Sequence, residues 1–154
     1  MVGISPNDDA ARPMSFDPSA HGWKQRNVRG FSELVGPFWT RRDEQGWAYG
    51  FLAGDRHVNP SGVVHGGMLM TLADQALSIT VWEAAERRPC VTVQLDTHFL
   101  SPVRPGDFVE ARARVVRRTR SMVFVDGALA VNGDTVLTAM GVWKILGSGP
   151  PAAG

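Results

Sequence analysis

The fold of this chain is decided by a stretch that reads NPSGVVHGGMLMTLADQALSITVWEAA, residues 59–85. Gly66 and Gly67 precede a run, Met68 to Ala85, that is apolar on almost every side. Such a run predicts a buried helix, which must stop near Pro89 because proline cannot continue it. The first N–H groups of a helix lack partners within the helix and, together with the helix dipole, favour negative charge.

A polar stripe runs along this apolar helix. Its members are spaced as one helix face requires, and they are Thr71, Asp74, Gln75 and Ser78. Asp74 follows Gly66 by about two turns, and a carboxylate is costly to bury without a partner or a purpose. The stripe can be an exposed face or one side of a helix pair across a dimer. Alternatively, it supplies a carboxylate beside an oxyanion-type donor, as acyl-transfer hydrolysis requires.

Composition limits the class of protein. The 154 residues are 44% hydrophobic and 20% charged, which fits one globular domain. A net charge of +1 argues against nucleic-acid and membrane-surface partners. The single cysteine, Cys90, excludes an intrachain disulfide and favours a reducing, cytoplasmic location, and the N-terminus has no signal-peptide core. The four histidines show no metal-ligand spacing, so we expect no metal. No glycine-rich phosphate loop appears, and we expect no cofactor.

The distribution of strand-like runs predicts the fold class. We expect flexible tails at residues 1–25 and 147–154 around a folded domain, residues 26–146. Short turns separate strand-like runs on both sides of the helix, at residues 37–42, 47–52, 91–100, 108–117, 122–131 and 135–145. Consecutive strands joined by short turns pair antiparallel, and a buried helix needs a sheet curled around it. The sequence therefore predicts an α+β fold, a curled antiparallel sheet of about six strands around one long central helix.

The first strand after the helix alternates in polarity. We expect one set of side chains to face the helix, namely Val91, Val93, Leu95 and Phe99. The other set, Thr92, Gln94, Asp96 and His98, is then expected to face water or a partner.

The loop and helix resemble a known motif. Asn59, His65-Gly66-Gly67 and Asp74 match, in identity and spacing, the hotdog-fold acyl-CoA thioesterases of the phenylacetate-pathway (PaaI-like) family. The segment from Val91 to Asp107, with its Pro-x-x-x-Gly-Asp turn, resembles the next strand of that family. The resemblance covers roughly residues 31–146.

The resemblance implies an enzyme that hydrolyses an acyl-CoA thioester to a free acid and CoA. It implies that Asp74 is the general base or the nucleophile, and that the Gly66 N–H polarises the carbonyl. Three residues are expected to support catalysis: Asn59 on the water or carbonyl, His65 orienting the loop, and Thr92 holding the attacking water. Three more are expected to bind substrate, and they are Gly67, Gln75 and Ser78.

The resemblance also implies a homodimer whose active sites lie at the subunit seam, as part of a dimer of dimers. The donor loop and Asp74 would then come from different subunits. A helix that is apolar all round, with one polar stripe, suits burial by its own sheet and a twin helix.

Five arginines lie within nine residues near the end of one predicted strand, namely Arg112, Arg114, Arg117, Arg118 and Arg120. Arginine binds phosphate through its planar fork of donors, and coenzyme A carries phosphates. Arg117, Arg118 and Arg120, at the turn, are the candidates for that contact. A solvated strand face explains Arg112 and Arg114 at least as well.

Two other functions fit the same fold. A hotdog hydratase or dehydratase would pair a catalytic His65 with Asp74. A non-catalytic acyl-CoA-binding module would need no free acid at position 74. Release of free thiol from acyl-CoA distinguishes a thioesterase from both.

Overall fold

A computed structural model of the protein describes residues 16–147. Within that range the α-helices and strands are, in chain order, β1 (Lys24–Arg26), α1 (Phe31–Val35), β2 (Phe38–Asp43), β3 (Gly46–Leu52), α2 (Gly66–Ala84), β4 (Cys90–Phe99), β5 (Phe108–Arg118), β6 (Met122–Val131) and β7 (Asp134–Ile145). Two short 3-10 helices lie at Ser19–His21 and Asp55–His57. The strands form one antiparallel sheet in the order β1-β2-β3-β5-β6-β7-β4. No helix in the described range is long and apolar enough to cross a membrane.

Helix α2 packs against the face of the sheet that forms the core. Its buried side chains are Met68, Leu69, Leu72, Ala73, Ala76, Leu77 and Val81. They share one hydrophobic cluster with sheet residues such as Phe51, Leu129 and Trp143, none of which is more than 1% exposed. The predicted α+β fold, a curled antiparallel sheet around one long helix, is confirmed.

The N-terminal part of the sheet differs from the sequence prediction. The structure has seven strands where about six were expected, because β1 adds an edge strand. All three residues of β1 are exposed, so the segment carries no apolar alternation that would signal a strand. Trp23, assigned to the tail of residues 1–25, is only 4% exposed and packs edge-on against Phe108. The packed chain therefore begins before residue 26; residues 1–15 and 148–154 lie outside the described range.

The predicted faces of β4 are wrong near its start. The pairing of β4 with β7 shifts register between Thr92 and Gln94. Thr92 lies opposite the buried Trp143 and donates to Asp74, so it faces α2 although it is itself exposed. Val91 and Val93 are 44% and 58% exposed. A bulge inserts one extra residue, and a shift of one residue exchanges the two faces of a strand. At the start of β4, the side chain that faces α2 is therefore that of Thr92 and not those of Val91 and Val93.

Strand β4 forms an edge of the sheet. It pairs with β7 on one side, and its other side has no partner strand within residues 16–147. Two large apolar side chains at its end, Phe99 and Leu100, are more than half exposed. An unpaired strand edge is a template for pairing with another chain.

Candidate active site

The loop before α2 is held by its own turn hydrogen bonds. The Asn59 side-chain oxygen accepts the N–H of Ser61 at 2.9 Å and the N–H of Val63 at 3.4 Å. The Asn59 side chain therefore stabilises the turn that it begins. Its Nδ2 group makes no hydrogen bond within the described part of the chain, so this donor is available to a ligand.

His65 caps the N-terminus of α2. Its backbone is extended, and its Nδ1 atom accepts the Gly67 N–H at 2.9 Å. Since Nδ1 is the acceptor, a neutral His65 carries its proton on Nε2. This contact fits the expected role of His65 in orienting the loop.

Gly66, unlike Gly67, offers a free N–H. The Gly67 N–H is bound by the His65 ring, whereas the Gly66 N–H makes no hydrogen bond with any residue from 16 to 147. A methyl group added at Gly66 would lie 3.1 Å from the Phe99 ring, so a side chain at this position would crowd the approach. At the N-terminus of α2, the Gly66 N–H is therefore a backbone donor left without a partner among the described residues.

Asp74 is fixed by a residue of the sheet. The Thr92 hydroxyl donates to Asp74 Oδ1 at 2.9 Å. The second carboxylate oxygen of Asp74 makes no hydrogen bond within the described range and can accept one from water. The bulge in β4 turns Thr92 toward α2 and so makes this contact possible.

The same turn of α2 carries a second contact with the sheet. Trp143 Nε1 donates to Ser78 Oγ at 3.0 Å, and Trp143 lies directly opposite Thr92 across β4 and β7. Asp74 and Ser78, one turn apart, are thus bound by one cross-strand pair. Gln75, which lies between Asp74 and Ser78 on the helix, is half-buried and donates to the buried Ser32 of α1.

Gly66 and Asp74 of one chain are too far apart to act on the same carbonyl. Eight residues separate them on α2, which is about 12 Å of helix rise. A reacting carbonyl must lie about 3 Å from the oxyanion donor and close to the attacking water. Within a single copy, the Gly66 N–H and the Asp74 carboxylate therefore do not meet at one reacting carbonyl.

A cavity of about 540 Å³ lies beside the same face of α2. Ser78 is at one side of it, and its apolar walls include Trp47, Ile79, Trp82 and Trp143. The cavity also meets polar residues, namely Arg26, Thr40, Tyr49 and Glu83. Of these residues only Ser78 was expected from the sequence to bind substrate, since the others lie on strands and helix turns that only folding brings together.

Three of the five clustered arginines form ion pairs. Arg112 binds Asp43 and Glu110, Arg114 binds Asp126, and Arg118 binds Glu86. The Arg112 hydrogen bond holds the pKa of Asp43 below its usual range. Arg117 and Arg120, near the turn between β5 and β6, make no ion pair within the described residues.

The curled antiparallel sheet around the long helix α2 defines the hotdog fold. The model of the thioesterase superfamily matches residues 61–138, and the chain belongs to this superfamily.

Known relatives agree with this membership. A Pseudomonas aeruginosa protein named as a candidate esterase, PA0474, is 36% identical over 115 residues, which are 73% of this chain and 86% of that protein. The BH2602 protein from Bacillus halodurans, solved with CoA, has a TM-score of 0.71 at 26% identity and covers 80% of this chain and 83% of its own. A phenylacetic acid degradation-related protein from Ralstonia eutropha, described as a candidate thioesterase, has a TM-score of 0.61 at 27% identity and covers 92% of each chain. The resemblance to PaaI-like hotdog thioesterases is confirmed.

Proposed function

We propose that the protein is an acyl-CoA thioesterase that hydrolyses its substrate to a free acid and CoA. The observation that carries the proposal is the Asp74 carboxylate, held by Thr92 and open to water at its second oxygen. A free N–H at Gly66 supplies the complementary donor for an oxyanion. The Bacillus halodurans relative solved with CoA supports the choice of coenzyme.

Two routes are compatible with Asp74. As a general base, Asp74 takes a proton from water while the water oxygen attacks the thioester carbonyl carbon. The carbonyl oxygen becomes an oxyanion that accepts the Gly66 N–H, the C–S bond then breaks, and the CoA thiolate takes up the proton. As a nucleophile, Asp74 first forms a mixed anhydride that water hydrolyses. Both routes consume one water, release acid and thiol, and require no cofactor.

Two copies of the chain complete each site in this proposal. The Gly66 N–H of one copy faces the Asp74 carboxylate of the other, because the two groups on one helix are too far apart. The open edge of β4 and the 36%-exposed Met70 on α2 supply surfaces for this pairing. We propose that such dimers associate further as a dimer of dimers.

The remaining site residues take supporting roles. Asn59 Nδ2 binds the water or the carbonyl oxygen, and Thr92 holds Asp74 and the attacking water. His65 keeps its Nδ1 on the Gly67 N–H, which favours loop orientation over the acid–base role a hydratase would need. Gly67 supports the site by donating its N–H to the His65 ring, and Gln75 does so by donating to Ser32 of α1. Ser78 borders the cavity that would hold the acyl group.

We propose that the hairpin formed by β5 and β6 contacts the coenzyme A part of the substrate. Arg117 and Arg120 have no acidic partner in the described range, and Arg118 shares its charge with Glu86. These guanidinium groups can bind the CoA phosphates. We also propose a reducing location in the cytoplasm, which suits a chain whose single cysteine, Cys90, cannot form an intrachain disulfide.

A panel of acyl-CoAs tests the function through release of free thiol. Wild-type protein should release thiol, and folded Asp74→Asn protein should be slower by about two orders of magnitude or more. If wild type and folded Asp74→Asn protein release thiol at the same rate, Asp74 has no part in the mechanism. Water addition without thiol release would indicate a hydratase, and binding without turnover would indicate an acyl-CoA-binding module.

A further inference from the structure

The cavity beside Ser78 contains a row of polar groups that the proposed hydrolysis does not use. Thr40 and Tyr49 are direct partners across β2 and β3. Arg26, on the neighbouring β1, donates from Nε to Thr40 Oγ1 at 2.8 Å. Three adjacent strands thus each bring one hydrogen-bonding side chain to the same cavity.

Tyr49 is the member of this row that lacks a partner. Its side chain lines the cavity and the residue is only 6% exposed, yet its hydroxyl makes no hydrogen bond with any described residue. The hydroxyl is not one of the fully buried polar atoms that lack a partner among the described residues, so it is open to the cavity and can bind water or a polar group of a ligand. Burial raises the pKa of Tyr49 to about 12, and the hydroxyl is therefore a neutral donor and acceptor at physiological pH.

The charged residues near Tyr49 determine which kind of ligand group its hydroxyl can bind. Glu83 raises the pKa of Tyr49 and Arg26 lowers it, so the hydroxyl lies within the field of both. Both charged residues also line the cavity. Since their charges oppose each other, they favour a neutral polar group, which can accept from Arg26 and donate to Glu83, over a second anion.

The row lies beyond Asp74 in the direction an acyl group would extend. Ser78, one turn after Asp74, borders the cavity, and Glu83 is nine residues after Asp74, about 13 Å further along α2. The walls between these points are aromatic, with Trp82 and Trp143 among them. An acyl chain of medium length would fill this space.

We propose that the cavity binds the acyl end of the substrate and that Tyr49 recognises a hydroxyl group at its far end. The substrate class is therefore medium-length acyl-CoAs with a distal hydroxyl group. The assignment rests on the proposed thioesterase function, because the thioester must lie at Asp74 for its acyl end to reach Tyr49.

Three thioesters of equal length test the assignment: octanoyl-CoA, 8-hydroxyoctanoyl-CoA and the CoA monothioester of octanedioic acid. In wild type, kcat/KM should be about tenfold higher for the hydroxylated substrate than for octanoyl-CoA, as one hydrogen bond allows. Tyr49→Phe should reduce this ratio to about one. Glu83→Gln should improve the carboxylated substrate relative to the other two. Thr135→Val, which removes an exposed hydroxyl at the start of β7, should leave all three rates unchanged.

Binding of the free acids tests the role of Tyr49 independently of the proposed thioesterase activity. By calorimetry, wild type should bind 8-hydroxyoctanoate about tenfold more tightly than octanoate, and Tyr49→Phe should bind the two alike. Equal binding by wild type, or a preference that survives in Tyr49→Phe, would overturn the role of Tyr49 even if acyl-CoAs are hydrolysed. Preferential binding without thiol release from any acyl-CoA would instead retain the pocket and reject the thioesterase.

Discussion

Thr92 donates a 2.9 Å hydrogen bond to Asp74, and the residue opposite Thr92, Trp143, donates one of 3.0 Å to Ser78. One turn of α2 is thereby fixed to one cross-strand pair of the sheet. The carboxylate proposed to activate water is thus positioned by the sheet as well as by its own helix. Preorganisation of this kind keeps a reacting group in place before substrate arrives.

The hydrogen bond from Thr92 should contribute to turnover. Thr92→Val keeps the shape of the side chain but removes the donor, and we expect kcat to fall roughly tenfold. Thr92→Ser should recover part of that loss because it restores the hydroxyl. In the Asp74→Asn background Thr92→Val should have little further effect, since the two residues act as a unit. A full additional tenfold loss in the double variant, measured by thiol release, would show that Thr92 acts independently of Asp74.

The Gly66 N–H should be essential, and proline can remove it without breaking the helix. Proline is tolerated in the first turn of a helix, and His65 before it is already extended, as a residue preceding proline must be. Gly66→Pro should lower kcat by about 10²–10³-fold, the usual cost of one oxyanion donor. Gly66→Ala is the matched control, since it adds a Cβ near Phe99 but keeps the N–H. Equal losses in the two variants would attribute the effect to crowding.

The unpaired arginines should affect coenzyme binding more than chemistry. Arg117→Ala with Arg120→Ala should raise KM for acyl-CoA and leave kcat nearly unchanged, because a remote contact binds substrate and transition state alike. Hydrolysis of a short thioester without the nucleotide should be unaffected. Arg114→Ala, which removes an arginine already paired with Asp126, is the control. Equal losses on both thioesters would mean that the hairpin arginines maintain the fold or the dimer.

His57 should make stability depend on pH. Its Nδ1 accepts the Gly54 N–H at 2.9 Å, its Nε2 contacts the Val35 carbonyl at 2.8 Å, and burial lowers its pKa. The unfolded chain, with a histidine pKa of about 6.5, then binds a proton before the folded chain does. The free energy of unfolding should therefore fall as the pH drops below about 6.5. The free energy of unfolding, measured by urea titration at several pH values, should depend less on pH in His57→Gln than in wild type. The control is His98→Gln, which replaces an exposed histidine on β4 and should retain the wild-type dependence. Identical pH dependence in the two variants would contradict the assignment.

The sequence predicted the elements whose signals are local. The buried helix, the free N–H of Gly66 at its start and the Asp74 carboxylate within it were all predicted from one segment, which has two glycines, one aspartate and a run that is apolar on almost every side. The orientation of Thr92 did not, because the bulge that reverses it depends on pairing with β7, far along the chain. The pocket around Tyr49 was missed for the same reason, since β1, β2, β3 and α2 must fold together before its residues meet.

The central claim is that each site combines the Gly66 donor of one copy with the Asp74 carboxylate of another. Mixing two inactive variants, Gly66→Pro and Asp74→Asn, tests it directly. A mixed dimer contains one site with both intact groups, so refolding an equal mixture should restore about a quarter of wild-type thiol release. Neither variant alone should recover activity on the same treatment. Mixed dimers that form, as shown by differently tagged copies, but release no more thiol than the separate variants would contradict the claim.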